Sequence, residues 1–270
     1  MTVELIDVER FAEADRIPEV LRRLASTQIA AEKHPRARRD GLACFNYLYT
    51  VITTQVQDDY LAGKFTSGDF ITRLDVAFAN RYLSAVDAEV ATAPSPWRCL
   101  LEMRSDPGIS PLAFAVAGVS AHVNFDLAFA VLETAEQRAR LTDDDHGDYQ
   151  LLNKIFFREM RKLRKHFEDG TERWIERTFG LTTLENVLGD VIVVVSRYLA
   201  WLKAVRLWNK RADTKANSVI ERAAARSVGA LNRGLLVADR DLRSASAAVL
   251  GHAERVGRNV RRPSSGGGRP

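Results

Sequence analysis

His122 and Asp126 stand four residues apart inside GVSAHVNFDLAFAVL (residues 118–132), a stretch that is otherwise almost entirely apolar. Successive residues of an α-helix turn by about 100°, so the two side chains share one face. An imidazole beside a carboxylate is the usual construction of an oriented general base. Three readings of this spacing are open. The pair satisfies itself as a buried structural contact, or His122 is a base oriented by Asp126 and facing a substrate pocket. In the third, His122 and Asp126 join Asp75 as ligands of a divalent metal ion, as bundle cores build such sites from carboxylates and histidines on facing helices. The paired Glu-x-x-His ligands of the di-iron bundles are absent.

Other apolar segments carry polar residues at helical spacing. Asn46, Tyr49 or Thr50, Thr53 and Gln57 form a stripe in LACFNYLYTVITTQVQDDY; Asp75, Ala79 and Tyr82 share a face in RLDVAFANRYLSAVDAEV, with Asn80 beside them. Asn124 faces away from His122 and pairs with Ser120, so this helix carries polar groups on opposed sides and must be surrounded by protein. Asp190, Arg197, Tyr198 and Trp201 sit among valines and leucines further on. Burying such groups without partners costs about 1–3 kcal/mol each, so they meet one another or enclose a ligand. The candidate catalytic residues are therefore His122, Asp126 and Asp75; the candidate substrate contacts are Asn46, Tyr49, Asn80, Tyr82, Asn124 and Trp201. The competing reading makes the same residues a structural hydrogen-bond network that sets helix register.

The elements that must position these groups are helical nearly throughout, and alternating β-branched runs between turn signals are missing. Helices are expected from Pro18 to the connector KHPRARRD, over residues 42–62 ending at Gly63, and from Ser67 or Asp69 to about Glu89. A short helix covers residues 96–104. A central apolar helix, capped by Ser110 with Pro111 in its first turn, covers residues 110–140. Three more cover residues 142–167, 183–211 and 215–256, the last as one helix or a broken pair. The run DVIVVV suits a strand on propensity alone but has no pairing partner. The expected fold is all-α: a single bundle of about eight helices, residues 1–256, around the central helix, with a disordered basic tail at 257–270.

Composition narrows the function class. The chain of 270 residues carries 39 Lys and Arg against 35 Asp and Glu, and the excess lies in the tail, where Arg255, Arg258, Arg261, Arg262 and Arg269 face one acid, Glu254. The body is balanced, which argues against a nucleic-acid partner. Cys44 and Cys99 read as core thiols, and with no basic leader segment visible the expected compartment is the cytoplasm. The longest uncharged run, residues 107–125, reads as a buried helix rather than a membrane span, because prolines, His122 and Asn124 interrupt it. His34, His146, His166 and His252 lie in polar contexts and read as exposed. The run TDDDHGDYQ lacks the ligand spacing of a calcium loop and reads as helix N-capping. Nucleotide-binding glycine motifs, Cys-x-x-Cys and His-Glu-x-x-His are absent. The expected partner is a small organic molecule.

Four segments, FNYLYTVIT (residues 45–53), RLDVAFANRYLSAVD (residues 73–87), PWRCLLEMR (residues 96–104) and above all GVSAHVNFDL (residues 118–127), resemble a bacterial family frequent in actinobacteria, domain of unknown function 5995. The likeness covers roughly residues 40–240. The family's central motif reads Gly-x-Asn-Ala-His-Ile-Asn-x-Asp-Leu; here Ser120 replaces its first asparagine and Val123 its isoleucine. The resemblance implies an all-helical fold and a shared pattern of Asp75, His122, Asn124 and Asp126. It implies no particular reaction.

Overall fold

The computed structural model describes residues 16–167 and 190–260. Among them every regular element is helical and there is no strand. Helix α1 spans Ile17–Glu32 with Pro18 in its first turn, and α2 spans Gly41–Leu61. Asp40 caps α2 by accepting from the N–H groups of Leu42 and Ala43, and Gly63 leaves it at φ 66°, a left-handed turn open to glycine. Helix α3 covers Gly68–Asp87 and α4 Ser95–Met103. Helices α5 (Pro111–Ser120) and α6 (Leu127–Arg138) are two parts of one rod, joined by a π-helical segment at Ala121–Asp126. Helix α7 follows at Asp143–Phe167, then α8 at Asp190–Asn209 and α9 at Thr214–Val260.

The rod forms as expected. Ser110 Oγ accepts from the Ala113 N–H, Pro111 occupies the first turn, and Ala139 ends the helix in a left-handed conformation at φ 54°. Helices α2, α3, α4, α7, α8 and α9 pack around it, and nearly all its side chains are buried. Among the described residues it is the one helix long and apolar enough to cross a membrane, yet the protein itself covers most of its surface. Gly118 lets α2 approach closely: a methyl group there would run into the Phe45 ring. That approach brings Tyr49, one turn beyond Phe45, against His122.

Two details depart from the expectation. The central helix is not α throughout, because residues 121–126 adopt the wider π turn, in which the Leu127 N–H reaches back to the His122 carbonyl. Of the two forms expected for α9, one helix or a broken pair, it takes the first, an unbroken element of 47 residues about 70 Å long. It also continues through residues 257–260, placed above in the tail, because the first proline after them is Pro263. The segment 190–195 is helical, as expected from its flanks. Residues 183–189 of the expected seventh helix and 261–270 of the tail lie outside the described residues.

Candidate functional site

The π segment aims His122 and Asp126 into the bundle. Both are buried, and the imidazole Nδ1 lies 3.1 Å from Asp126 Oδ2. Because a carboxylate only accepts, Nδ1 carries the proton and Nε2 keeps its lone pair. The same Asp126 oxygen accepts from Trp97 Nε1 on α4 at 2.9 Å, and Oδ1 faces the Arg81 guanidinium of α3 at 3.5 Å. Asp126 is thus held from three sides. Asn232 of α9 braces the rod by donating to the carbonyls of Ala117 and Pro96, at 3.1 and 3.2 Å.

Aromatic rings enclose the imidazole. Phe78 stacks on its face at 3.4 Å between centroids and 8° between planes; Tyr49 meets it edge-on at 4.6 Å, with Phe45, Trp97 and Tyr82 within 6.1 Å. Burial in this apolar setting lowers the His122 pKa, partly offset by the hydrogen bond and charge of Asp126. The ring is therefore neutral at neutral pH.

His122 forms part of the wall of a cavity of about 50 Å³. Leu48, Ile52, Leu74, Val119, Val123 and Phe156 supply much of its apolar surface, and its polar lining is Tyr49, Asp75, His122 and Arg197. Three polar atoms of this lining are buried without a hydrogen-bond partner among the described residues: His122 Nε2, Tyr49 Oη and Asp75 Oδ2. Thr53 Oγ1, one turn along α2, is a fourth such atom, and it lies close enough to the Tyr49 hydroxyl to interact with it, short of a well-formed hydrogen bond. Desolvation pushes the Asp75 pKa up to about 7, and it raises the Tyr49 phenol well above its ordinary value. The cavity therefore offers one base, the His122 lone pair, and two groups that hold their protons to about neutrality or beyond.

The candidate residues separate into those around the cavity and those elsewhere. His122, Asp75 and Tyr49 line it, while Asp126 stands behind His122. Asn46 and Tyr82 do not line it: the Tyr82 hydroxyl donates to Asn46 Oδ1 at 3.0 Å, and Asn46 Nδ2 donates to Leu24 O and Gln28 Oε1. Asn124 donates to Ser120 Oγ at 3.1 Å, as its spacing predicted, and like Asn80 lies off the wall. Trp201 packs on Tyr149 and His146, away from the lining. Arg197 also lines the cavity and stands outside the candidate residues read from the sequence, where its charge inside an apolar helix is the signal that marks it.

No group of three or more His, Cys, Asp and Glu among the described residues could hold a metal ion. The reading of His122, Asp126 and Asp75 as joint ligands is corrected accordingly, since His122 Nδ1 and Trp97 already occupy Asp126 Oδ2 and Asp75 is set apart on α3. His34 and His146, expected to be exposed, are half-buried: His34 lies 3.0 Å from Asp40, and His146 stacks on Trp201. Both thiols are buried, with pKa values raised by burial to about 12 for Cys44 and about 11 for Cys99.

Comparison with curated proteins and with solved structures finds no match. The model of a family of unknown function, DUF5995, matches residues 17–238. The chain belongs to that family.

Proposed function

We propose that this protein is an enzyme that moves a proton on a small, largely apolar organic molecule held in the cavity. The observation that carries this reading is a set of three buried polar atoms around one space: His122 Nε2 and Asp75 Oδ2, which have no hydrogen-bond partner among the described residues, and Tyr49 Oη, which meets only the Thr53 hydroxyl. Each costs about 1–3 kcal/mol when left dry and unpaired, a cost that a bound substrate removes.

The roles follow from proton inventory. His122 Nε2 takes a proton from a carbon next to a carbonyl group; Asp126 keeps the ring in the Nδ1–H tautomer and stabilises the imidazolium that forms. The electron pair moves to the carbonyl oxygen, where the Tyr49 hydroxyl and the protonated Asp75 donate hydrogen bonds. A carboxylic acid kept neutral by an apolar site can act as such a donor. Return of the proton from His122 completes the exchange, with no further reactant. Covalent acyl transfer has no support in the lining, which contains neither serine nor cysteine.

The test follows solvent deuterium entering the α-position of acetone, butanone and pyruvate, carbonyl compounds chosen for the small cavity of about 50 Å³, in heavy water by proton NMR. Wild-type protein should exchange at least one of them faster than buffer, and His122→Ala should lose that rate while melting as a folded protein. Absence of exchange above buffer, or an unchanged rate in His122→Ala, overturns the proposal.

A structural hydrogen-bond network is the second reading, favoured by the three-sided grip on Asp126 and the Phe78 stack on His122. In that case His122→Ala unfolds the bundle.

A further inference from the structure

We infer that Arg197 is the anchor for a carboxylate, so that the molecule accepted by the cavity is a small organic acid with an apolar body. The inference rests on the proposed function, since it assigns the charged end of the molecule whose other end would meet His122.

Arg197 lies on α8, is 5% exposed and forms part of the cavity wall. Its Nε donates to Asn153 Oδ1 of α7, and its guanidinium lies over the rings of Tyr149 and Phe156, with centroids at 5.3 and 5.6 Å. Its own carbonyl accepts from Tyr149 Oη at 2.6 Å, which fixes the backbone. These contacts hold the plane of the fork in place. Nη1 and Nη2 make no hydrogen bond among the described residues, and no carboxylate there stands within ion-pair distance.

This sets Arg197 apart from other arginines that are wholly or partly buried in the bundle. Arg138 has Asp145 at 2.8 Å, Arg23 has Asp87 at 2.7 Å, and Arg104 has Asp40 at 2.9 Å. A buried guanidinium without a counter-ion is costly, and the planar fork matches a carboxylate through two parallel hydrogen bonds. Asp75 does not fill this place, since it makes no ion pair with Arg197 and its raised pKa has burial alone as its cause. The rest of the polar lining is donors and one neutral base, which suits an anion with carbonyl character. The apolar walls select a carbon body over a bare inorganic ion.

Calorimetric titration with propanoate and butanoate, against propanamide and butanamide of matched shape, tests the inference on wild-type, Arg197→Met, Arg197→Lys and His122→Ala proteins. The acids should bind wild type about tenfold or more tightly than the amides. Arg197→Met should erase that preference, Arg197→Lys should restore part of it, and His122→Ala should keep it. Thermal melts establish that each variant is folded; should Arg197→Met not fold, Arg197→Lys and Arg197→Gln carry the comparison. Equal binding of acids and amides, acid binding that survives Arg197→Met, or no acid binding to wild type overturns the carboxylate anchor. Inorganic phosphate binding as tightly as butanoate overturns the organic acid. The exchange assay reports on His122 independently of these outcomes, so either conclusion can fail alone.

Discussion

Two buried polar clusters lie in this bundle, and they obey opposite rules. In the first, at the junction of α3, α6 and α7, Asp145 pairs with Arg138 Nη1 at 2.8 Å and accepts from the Thr142 N–H and the Ser67 hydroxyl. Asp148 accepts from the N–H groups of Thr66 and Ser67 and so caps α3 from outside. Arg138 also reaches Asp69 at 3.0 Å and lies over the Phe70 ring. These bonds hold the Asp145 carboxyl below its ordinary pKa against the opposing effect of burial. In the second cluster Asp75, also inside the protein, has no charge partner among the described residues and is pushed up to about 7 by burial. Paired carboxylates hold helices in place; an unpaired one lining a cavity is left free to act on something that enters it.

The sharpest way to break this contrast is to remove a partner from the satisfied cluster. Arg138→Met strands Asp145 as an uncompensated buried charge, and urea unfolding should register a loss of about 3–5 kcal/mol. A loss below about 1 kcal/mol would mean that the junction is no keystone.

Asp75→Asn probes the other cluster, with an effect that depends on pH. The folded-state pKa of about 7 lies above the ordinary aspartate value of 3.8, so the folded protein holds this proton longer than the unfolded chain. The stability linked to it is present at low pH and is lost as pH rises from about 4 through about 7. The full difference has an upper bound of about 4 kcal/mol. Wild type minus Asp75→Asn, measured by denaturant unfolding at about pH 5 and about pH 8, should fall as pH rises. A difference independent of pH would show Asp75 ionised in the fold.

The smallest effects distinguish two tyrosines of one aromatic cluster. Tyr82→Phe removes the hydroxyl bonded to Asn46 and should cost about 0.5–1.5 kcal/mol while leaving deuterium exchange unchanged. Tyr49→Phe removes a hydroxyl that meets only the Thr53 hydroxyl among the described residues, so its melting temperature should hold or rise while exchange slows. Reversal of that order would exchange the roles assigned to them.

Much of this was legible in one dimension. Pro18, Ser110 with Pro111, Gly63 and Thr142 mark element ends through rules that act within a turn of backbone, and the structure places helix ends beside them. The contact between His122 and Asp126, the pairing of Asn124 with Ser120 and the capping use of the acidic run in α7 followed from spacing along single helices. The π turn at residues 121–126 was not legible, because no residue type specifies it. Nor could spacing tell Tyr49 from Tyr82 or Asp75 from Asp145, since each pair differs only in what a distant segment brings to it.

The sequence by itself therefore determined an all-helical chain built on one apolar post carrying an imidazole and a carboxylate on a common face. Periodicity and caps are local properties, written in neighbouring residues. Tertiary structure alone decided that Trp97 and Arg81 would hold Asp126, that Asn46 would take the Tyr82 hydroxyl, and that Tyr49, Asp75, His122 and Arg197 would share a cavity. The physical reason is that hydrogen-bond satisfaction depends on partners from other helices, and packing selects those partners only when the whole bundle closes.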